Sequence, residues 1–356
     1  MKHYARAGFL VATLVGIVIA AWAIGSIGLR EILDAMRSIG WVGMAVFTAT
    51  SLGVLTLLGL AWFVVAPGQP WSRAALFIWA RTTREAATDI LPFSQLGGLV
   101  IGARTLTVAG VPDRVVYAAM IVDMTTEMAA QLLFTLGGMA ALLLVLAHLP
   151  VQAHILPLAL AGVAGMVAII IAFVVAQRPM LRLAGRLGAR ILPGSVATMD
   201  AVRSQLDAIY RMPWRVVAAF FLNLLAWIAS AITAWVALRF MGVHIPLWAM
   251  VAQEALVFTL RSVAFAIPGA IGVQEATYAL LGPLFGLPPA TALALSLLKR
   301  SRDLVIGIPA LIFWQINEYR GFASGTRHSD AKVRRRRMAS SRSAQAFVRP
   351  PNVPDP

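Results

Sequence analysis

The chain has 356 residues, 60% hydrophobic and only 13% charged, which excludes an ordinary soluble domain with its roughly 45–50% apolar and 25% charged residues. A polytopic membrane protein fits instead. The net charge of +15 lies between hydrophobic runs and in the tail, so cytoplasmic-loop bias explains it and no nucleic-acid partner is expected, while zero cysteines exclude disulfides, thiolate nucleophiles and Cys-bound metal.

Lys2 and Arg6 precede an apolar run over residues 8–27, read as a retained signal-anchor span, with a cleaved signal peptide as the alternative. Residues 29–39 mix Arg30, Glu31, Asp34 and Arg37 with Ile32, Leu33 and Met36, which predicts a short amphipathic helix at the interface. Residues 41–66 form the second span, closed by Pro67-Gly68-Gln69-Pro70.

Over residues 74–110 the apolar pattern breaks up: Arg81, Arg84, Glu85 and Asp89 interrupt it, Leu91-Pro92 ends it, and Gly97, Gly98 and Gly102 punctuate the return to Arg104. Neither half reaches the ~20 residues of a span. A re-entrant helical hairpin is predicted, since irregular backbone at membrane depth is tolerated where protein or a wet cavity surrounds it. The third span covers 115–147 and carries Asp123 and Glu127 at i, i+4, and the fourth covers 155–175. Between 177 and 215 lie seven arginines against Asp200 and Asp207, the strongest cytoplasmic marker in the chain.

The fifth span, 216–238, leads to a second broken segment, 247–288, in which Pro268, Gly269, Gly272, Gly282, Pro283, Gly286 and Pro288 forbid a straight helix. Residues 291–316 form the sixth span, with Lys299, Arg300, Arg302 and Asp303 near its start. Beyond Arg320 a Ser-, Arg- and Pro-rich tail with four contiguous arginines, Arg334 to Arg337, is expected to be disordered, cytoplasmic and drawn to anionic lipid. The predicted fold is therefore all-α, with about six full transmembrane helices plus two re-entrant hairpins in a membrane domain over 1–319. Both termini are expected in the cytoplasm.

Sliding the chain by 176 residues aligns Leu91-Pro92 with Ile267-Pro268, Gly110-Val111-Pro112 with Gly286-Leu287-Pro288, and Glu127 with Asp303. The two copies would enter from opposite sides, an inverted repeat of the kind that places a site near the bilayer midplane. The candidates for substrate binding or gating follow from this. Pro92, Gln95, Gly97, Pro268 and Gly272 shape the breaks. Arg81, Arg84 and Arg261 are guanidinium groups suited to lipid phosphate, or else partners of Glu85, Asp89 or Glu254 in internal ion pairs, and Arg104 and Arg302 join the candidates for binding or gating. Asp123 with Glu127, and Lys299 with Asp303, share helix faces through i, i+4 spacing and could close a charge network between the copies. Glu275 either caps the half-helix behind Pro268 or serves substrate or proton coupling, and Gln274 either binds a polyol headgroup or closes the turn. No catalytic residue, metal or cofactor is predicted.

The segment Pro268-Gly269-Ala270-Ile271-Gly272-Val273-Gln274-Glu275 resembles the PGGxGxxE signature of the flippase-like family that includes the transmembrane part of lysylphosphatidylglycerol synthases. Leu91-Pro92-Phe93-Ser94-Gln95-Leu96-Gly97-Gly98 resembles that family's LPxxxGE-type motif, departing from it at Gly98, where many members carry an acid. With Arg300-Ser301-Arg302-Asp303, these forms look most like the branch associated with hopanoid biosynthesis, the HpnL type. The resemblance covers about residues 5–320 and implies an integral inner-membrane protein handling lipids, hopanoids or anionic phospholipids among them. About 36 residues follow the last span, too few for the synthases' aminoacyl-transferase domain, so that activity is not expected here. The competing expectations are a scaffold for lipid-biosynthesis enzymes and, less favoured by the motifs, a lipid-modifying enzyme.

Overall fold

In the computed structural model the described residues are 37–90, 94–145, 171–177, 195–263 and 270–346, with scattered positions at 30–34 and 164–179. They are helical throughout, without strands. The helices are α1 (Gly40–Val64), α2 (Ala74–Ile90), α3 (Ser94–Val108), α4 (Asp113–Val145), α5 (Ser195–Tyr210), α6 (Pro213–Phe240), α7 (Leu247–Val263), α8 (Val273–Leu281) and α9 (Pro289–Ala346). Contacts divide the chain into Met1–Ala310 and Leu311–Pro356.

Among the described residues α1, α4 and α6, of 25, 33 and 28 residues, are long and apolar enough to cross a membrane. They correspond to the second, third and fifth predicted spans. The first predicted span lies outside the described residues, the fourth is described only in part, and the sixth forms the start of α9. Helix α9 continues to Ala346, through residues whose composition predicts disorder, in a stretch rich in the helix formers Ala and Arg. The arginine-rich segment is also more regular than a loop, because α5 lies inside it and seats Val202, Leu206 and Ile209 in a core with Val116 and Val122.

The described residues of the two broken segments form helices, α2 and α3 in the first and α7 and α8 in the second. The halves of the first, 17 and 15 residues long, stay too short to span. Gly98 and Gly102 let them pack backbone to backbone: a Cβ at Gly98 would stand 2.7 Å from the Arg84 carbonyl oxygen, and one at Gly102 3.0 Å from the Arg84 Cβ. The departure of Gly98 from the acid-bearing motif thus has a physical reason, since no glutamate fits that contact. Pro92 and Pro268 lie outside the described residues.

The two Gly-x-Pro turns are built alike. Gly110 has φ 81° and Gly286 φ 83°, left-handed conformations that end the preceding helix. In the first turn the amides of Gly110 and Val111 bond the carbonyls of Thr107 and Leu106; in the second, those of Gly286 and Leu287 bond Pro283 and Gly282. Two apolar cores lie behind the broken segments. Trp62, Phe77, Leu106 and Val122 belong to the first, and Met250, Tyr278, Leu295 and Leu298 to the second, with α1 contributing Trp62 to one and Phe47 to the other.

Candidate functional site

On α2, Arg81, Arg84 and Glu85 follow at i, i+3 and i+4, so a single face carries all three charges. That face meets Asp123 and Glu127, one turn apart on α4. Arg81 is the hub: Nη1 donates to Asp123 Oδ2 at 3.1 Å, Nη2 to Glu127 Oε1 at 2.5 Å, and Nη2 also pairs with Glu85 at 2.9 Å. Arg84 adds longer bonds to the same acids, 3.3 Å to Asp123 Oδ2 and 3.4 Å to Glu127 Oε2. Arg81 is only 1% exposed and Asp123 0%, so this is a desolvated network in which every lost partner is costly.

Beside the network opens a cavity of about 420 Å³, walled by α1, α2, α4, α6, α7 and α9. Arg81, Arg84, Glu85, Asp89 and Glu127 line it from the first copy, and Arg261, Arg302 and Asp303 from the second. The two copies touch here through charge: Arg261 Nη2 donates to Asp89 Oδ1 at 3.4 Å. Arg302 binds Asp303 through Nε at 3.0 Å and Nη2 at 2.5 Å, and reaches Ser51 on α1 at 3.4 Å. Val54, Leu55, Leu58, Trp227 and Phe258 also line the cavity. The site therefore combines charged groups with aliphatic and aromatic surface, a composition suited to an amphiphile.

A second ion pair lies away from the cavity. Glu254 on α7 accepts from Lys299 Nζ on α9 at 2.5 Å and from the Tyr278 hydroxyl of α8, and Lys299 stands 4.9 Å over the Phe258 ring. All three polar groups are buried. Its placement repeats that of Arg81 with Glu127, pairing the helix before the break with the helix after the Gly-x-Pro turn, but with acid and base exchanged.

The remaining predicted residues separate from the cavity. Glu275 is the third residue of α8; its Oε2 accepts from the Gly272 amide at 2.7 Å, and its Oε1 from Arg300 Nε at 3.0 Å. Gln274 donates to Ser296 Oγ at 3.0 Å. Both are buried inside the second copy, as is Lys299, and none of the three lines the cavity. Gly97 and Gln95 sit on α3, and Arg104 on the exposed face of α3. The i, i+4 spacing groups Lys299 with Asp303; the structure divides them, giving Asp303 to Arg302 and Lys299 to Glu254. The charge link between copies is instead Asp89 with Arg261.

Several residues of the site were not singled out from the sequence. Glu254 and Asp89 stood there only as partners for arginines, although an acid within an apolar helix is itself a signal. Tyr278, Asn223, Trp227 and Ser51 carry no such signal, since polar and aromatic residues at these spacings are common in any packed helix.

No curated protein and no solved structure matches the chain. The family model described as lysylphosphatidylglycerol synthase TM region matches residues 9–310, a stretch that includes both broken segments and every residue lining the cavity. With that match, joined to the apolar spans, this multi-pass membrane chain belongs to the lysylphosphatidylglycerol synthase TM region family.

Proposed function

We propose that the chain moves lipid between the leaflets of the bacterial cytoplasmic membrane, with both termini inside, and that the cavity between the two copies receives the headgroup. The observation that carries this reading is the composition of the cavity wall, which holds Arg261, Arg302 and Asp89 together with Val54, Leu55, Leu58 and Trp227. A polar headgroup crossing hydrocarbon needs substitutes for its water, and paired charges supply them without leaving a bare ion when the cavity is empty. Arg261 and Arg302 exchange their carboxylates for headgroup phosphate, while acyl or polycyclic chains rest against Leu55, Leu58 and Trp227. Hopanoid-linked lipid is the cargo class, on the strength of the LPFSQ and GVQEA forms of the two motifs. The activity makes and breaks no covalent bond.

Reconstitution into liposomes with headgroup-labelled phospholipid and labelled hopanoid tests this. The protein is expected to speed leaflet exchange over protein-free liposomes, and Arg261→Ala to lower the rate roughly tenfold, as expected for one lost charge-assisted hydrogen bond of about 1.5–3 kcal/mol. Equal rates with and without protein for every lipid would overturn the reading.

A further inference from the structure

The Arg81 network does not balance. Arg81 and Arg84 face three carboxylates, Glu85, Asp123 and Glu127, so one negative charge is left over among the described residues. The other ionisable groups around the cavity cancel in pairs, Asp89 with Arg261 and Asp303 with Arg302. Helix α1 brings no ionisable side chain, and the charges of α5 line a separate surface depression with Asp200, Arg203, Asp207 and Arg211. Of the three carboxylates only Asp123 is sealed from solvent, and an uncompensated charge there is expensive, a cost that a bound cation removes.

Two acceptor atoms, one on Asp123 and one on Asn223, lack a donor. Both arginine bonds to Asp123 end on Oδ2, whereas Oδ1 is buried with no hydrogen-bond partner. Asn223 on α6 is equally buried; its Nδ2 donates to Thr126 Oγ1 at 3.1 Å, and its Oδ1 also has no partner. Thr126 in turn donates to the Asp123 backbone carbonyl at 2.9 Å, which ties the two residues into one cluster. Two acceptors without a donor, beside one surplus carboxylate, lack a single hydrogen. A water molecule would supply a donor but leave the charge.

We propose that Asp123 is a proton-binding site, its carboxyl protonated at Oδ1 and donating toward Asn223 Oδ1 while Oδ2 keeps both arginines. The proton enters from the cavity, where Glu127 and Glu85 stand exposed by 17% and 29%, one step from the buried acid. Loading neutralises the network, and unloading restores its surplus charge. The site stands whether or not lipid is moved, and under the transport reading it ties cavity charge to the proton gradient.

Infrared difference spectroscopy of the full chain in lipid nanodiscs, titrated from acid to alkaline pH, tests the site without any transport assay. The expected result is one carboxylic-acid C=O band that fades as pH rises, is absent from Asp123→Asn, and is unchanged in Asp34→Asn, whose carboxylate is exposed. Should Asp123→Asn fail to fold, Asn223→Ala decides: loss of the acceptor shifts the band without abolishing it. No band in the wild type, as when a water or an Asn223 amide turned the other way satisfies Oδ1, overturns the proposal. So does a band that survives Asp123→Asn or stays unmoved in Asn223→Ala.

Discussion

Lys299 and Glu254 show what a charge costs once it is sealed in. Neither has water to fall back on, so removing one partner strands the other, at about 3–5 kcal/mol, whereas replacing both with apolar residues of similar volume is near neutral. Glu254→Gln and Lys299→Met should each lower the thermal midpoint in detergent, and the double substitution should recover most of the loss. Equal losses in single and double variants would mean that shape rather than charge sets the stability. Ala270 offers the opposite case. It stands where the PGGxGxxE motif has its second glycine, and its φ is 48°, a left-handed conformation that costs an L-residue roughly 1–2 kcal/mol. Ala270→Gly is expected to raise the same midpoint, through a stability gain of up to about 1 kcal/mol once the extra freedom of the unfolded glycine is deducted.

Among the elements, the Gly-x-Pro turns are the clearest repeated device. Gly110 and Gly286 hold the same backbone angle and bond the same relative carbonyls, so Gly110→Ala and Gly286→Ala should cost similar amounts, about 1–2 kcal/mol each, read from thermal unfolding. These turns were legible in the sequence because proline and glycine act locally. Helix lengths were legible for a similar reason, since α1, α4 and α6 are continuous apolar runs. The pairing of charges was not. Spacing along one helix puts Lys299 near Asp303, but which face of α9 meets α7 depends on the packing of Met250, Leu295 and Leu298, to which no i, i+4 rule has access. The same holds for Arg81, whose three acids come from its own helix and from α4, about forty residues further on. The helix found inside the arginine-rich segment was hidden by a composition that matches an exposed loop, although Val202, Leu206 and Ile209 give it a buried face.

For the whole molecule, the cavity and all its ionisable groups lie before Ala310. Removing residues 321–356 is therefore expected to leave leaflet exchange unchanged in liposomes; a loss would point to a role for the basic tail in holding the protein or a partner at the membrane. The two ion-pair networks have a consequence for biogenesis. The first is complete once Glu127 has left the ribosome, and the second closes between Glu254, Tyr278 and Lys299 with no help from the first. Docking then adds contacts that include Asp89 with Arg261, Arg302 with Ser51, Gln131 with Ser262, and Thr135 with Thr259. Each half can thus enter the bilayer with most of its ion pairs already made, leaving Asp89 and Arg261 to meet on docking. Two fragments divided within residues 180–194 and expressed together should find each other in the membrane and rebuild the cavity, as lock and key made on separate benches.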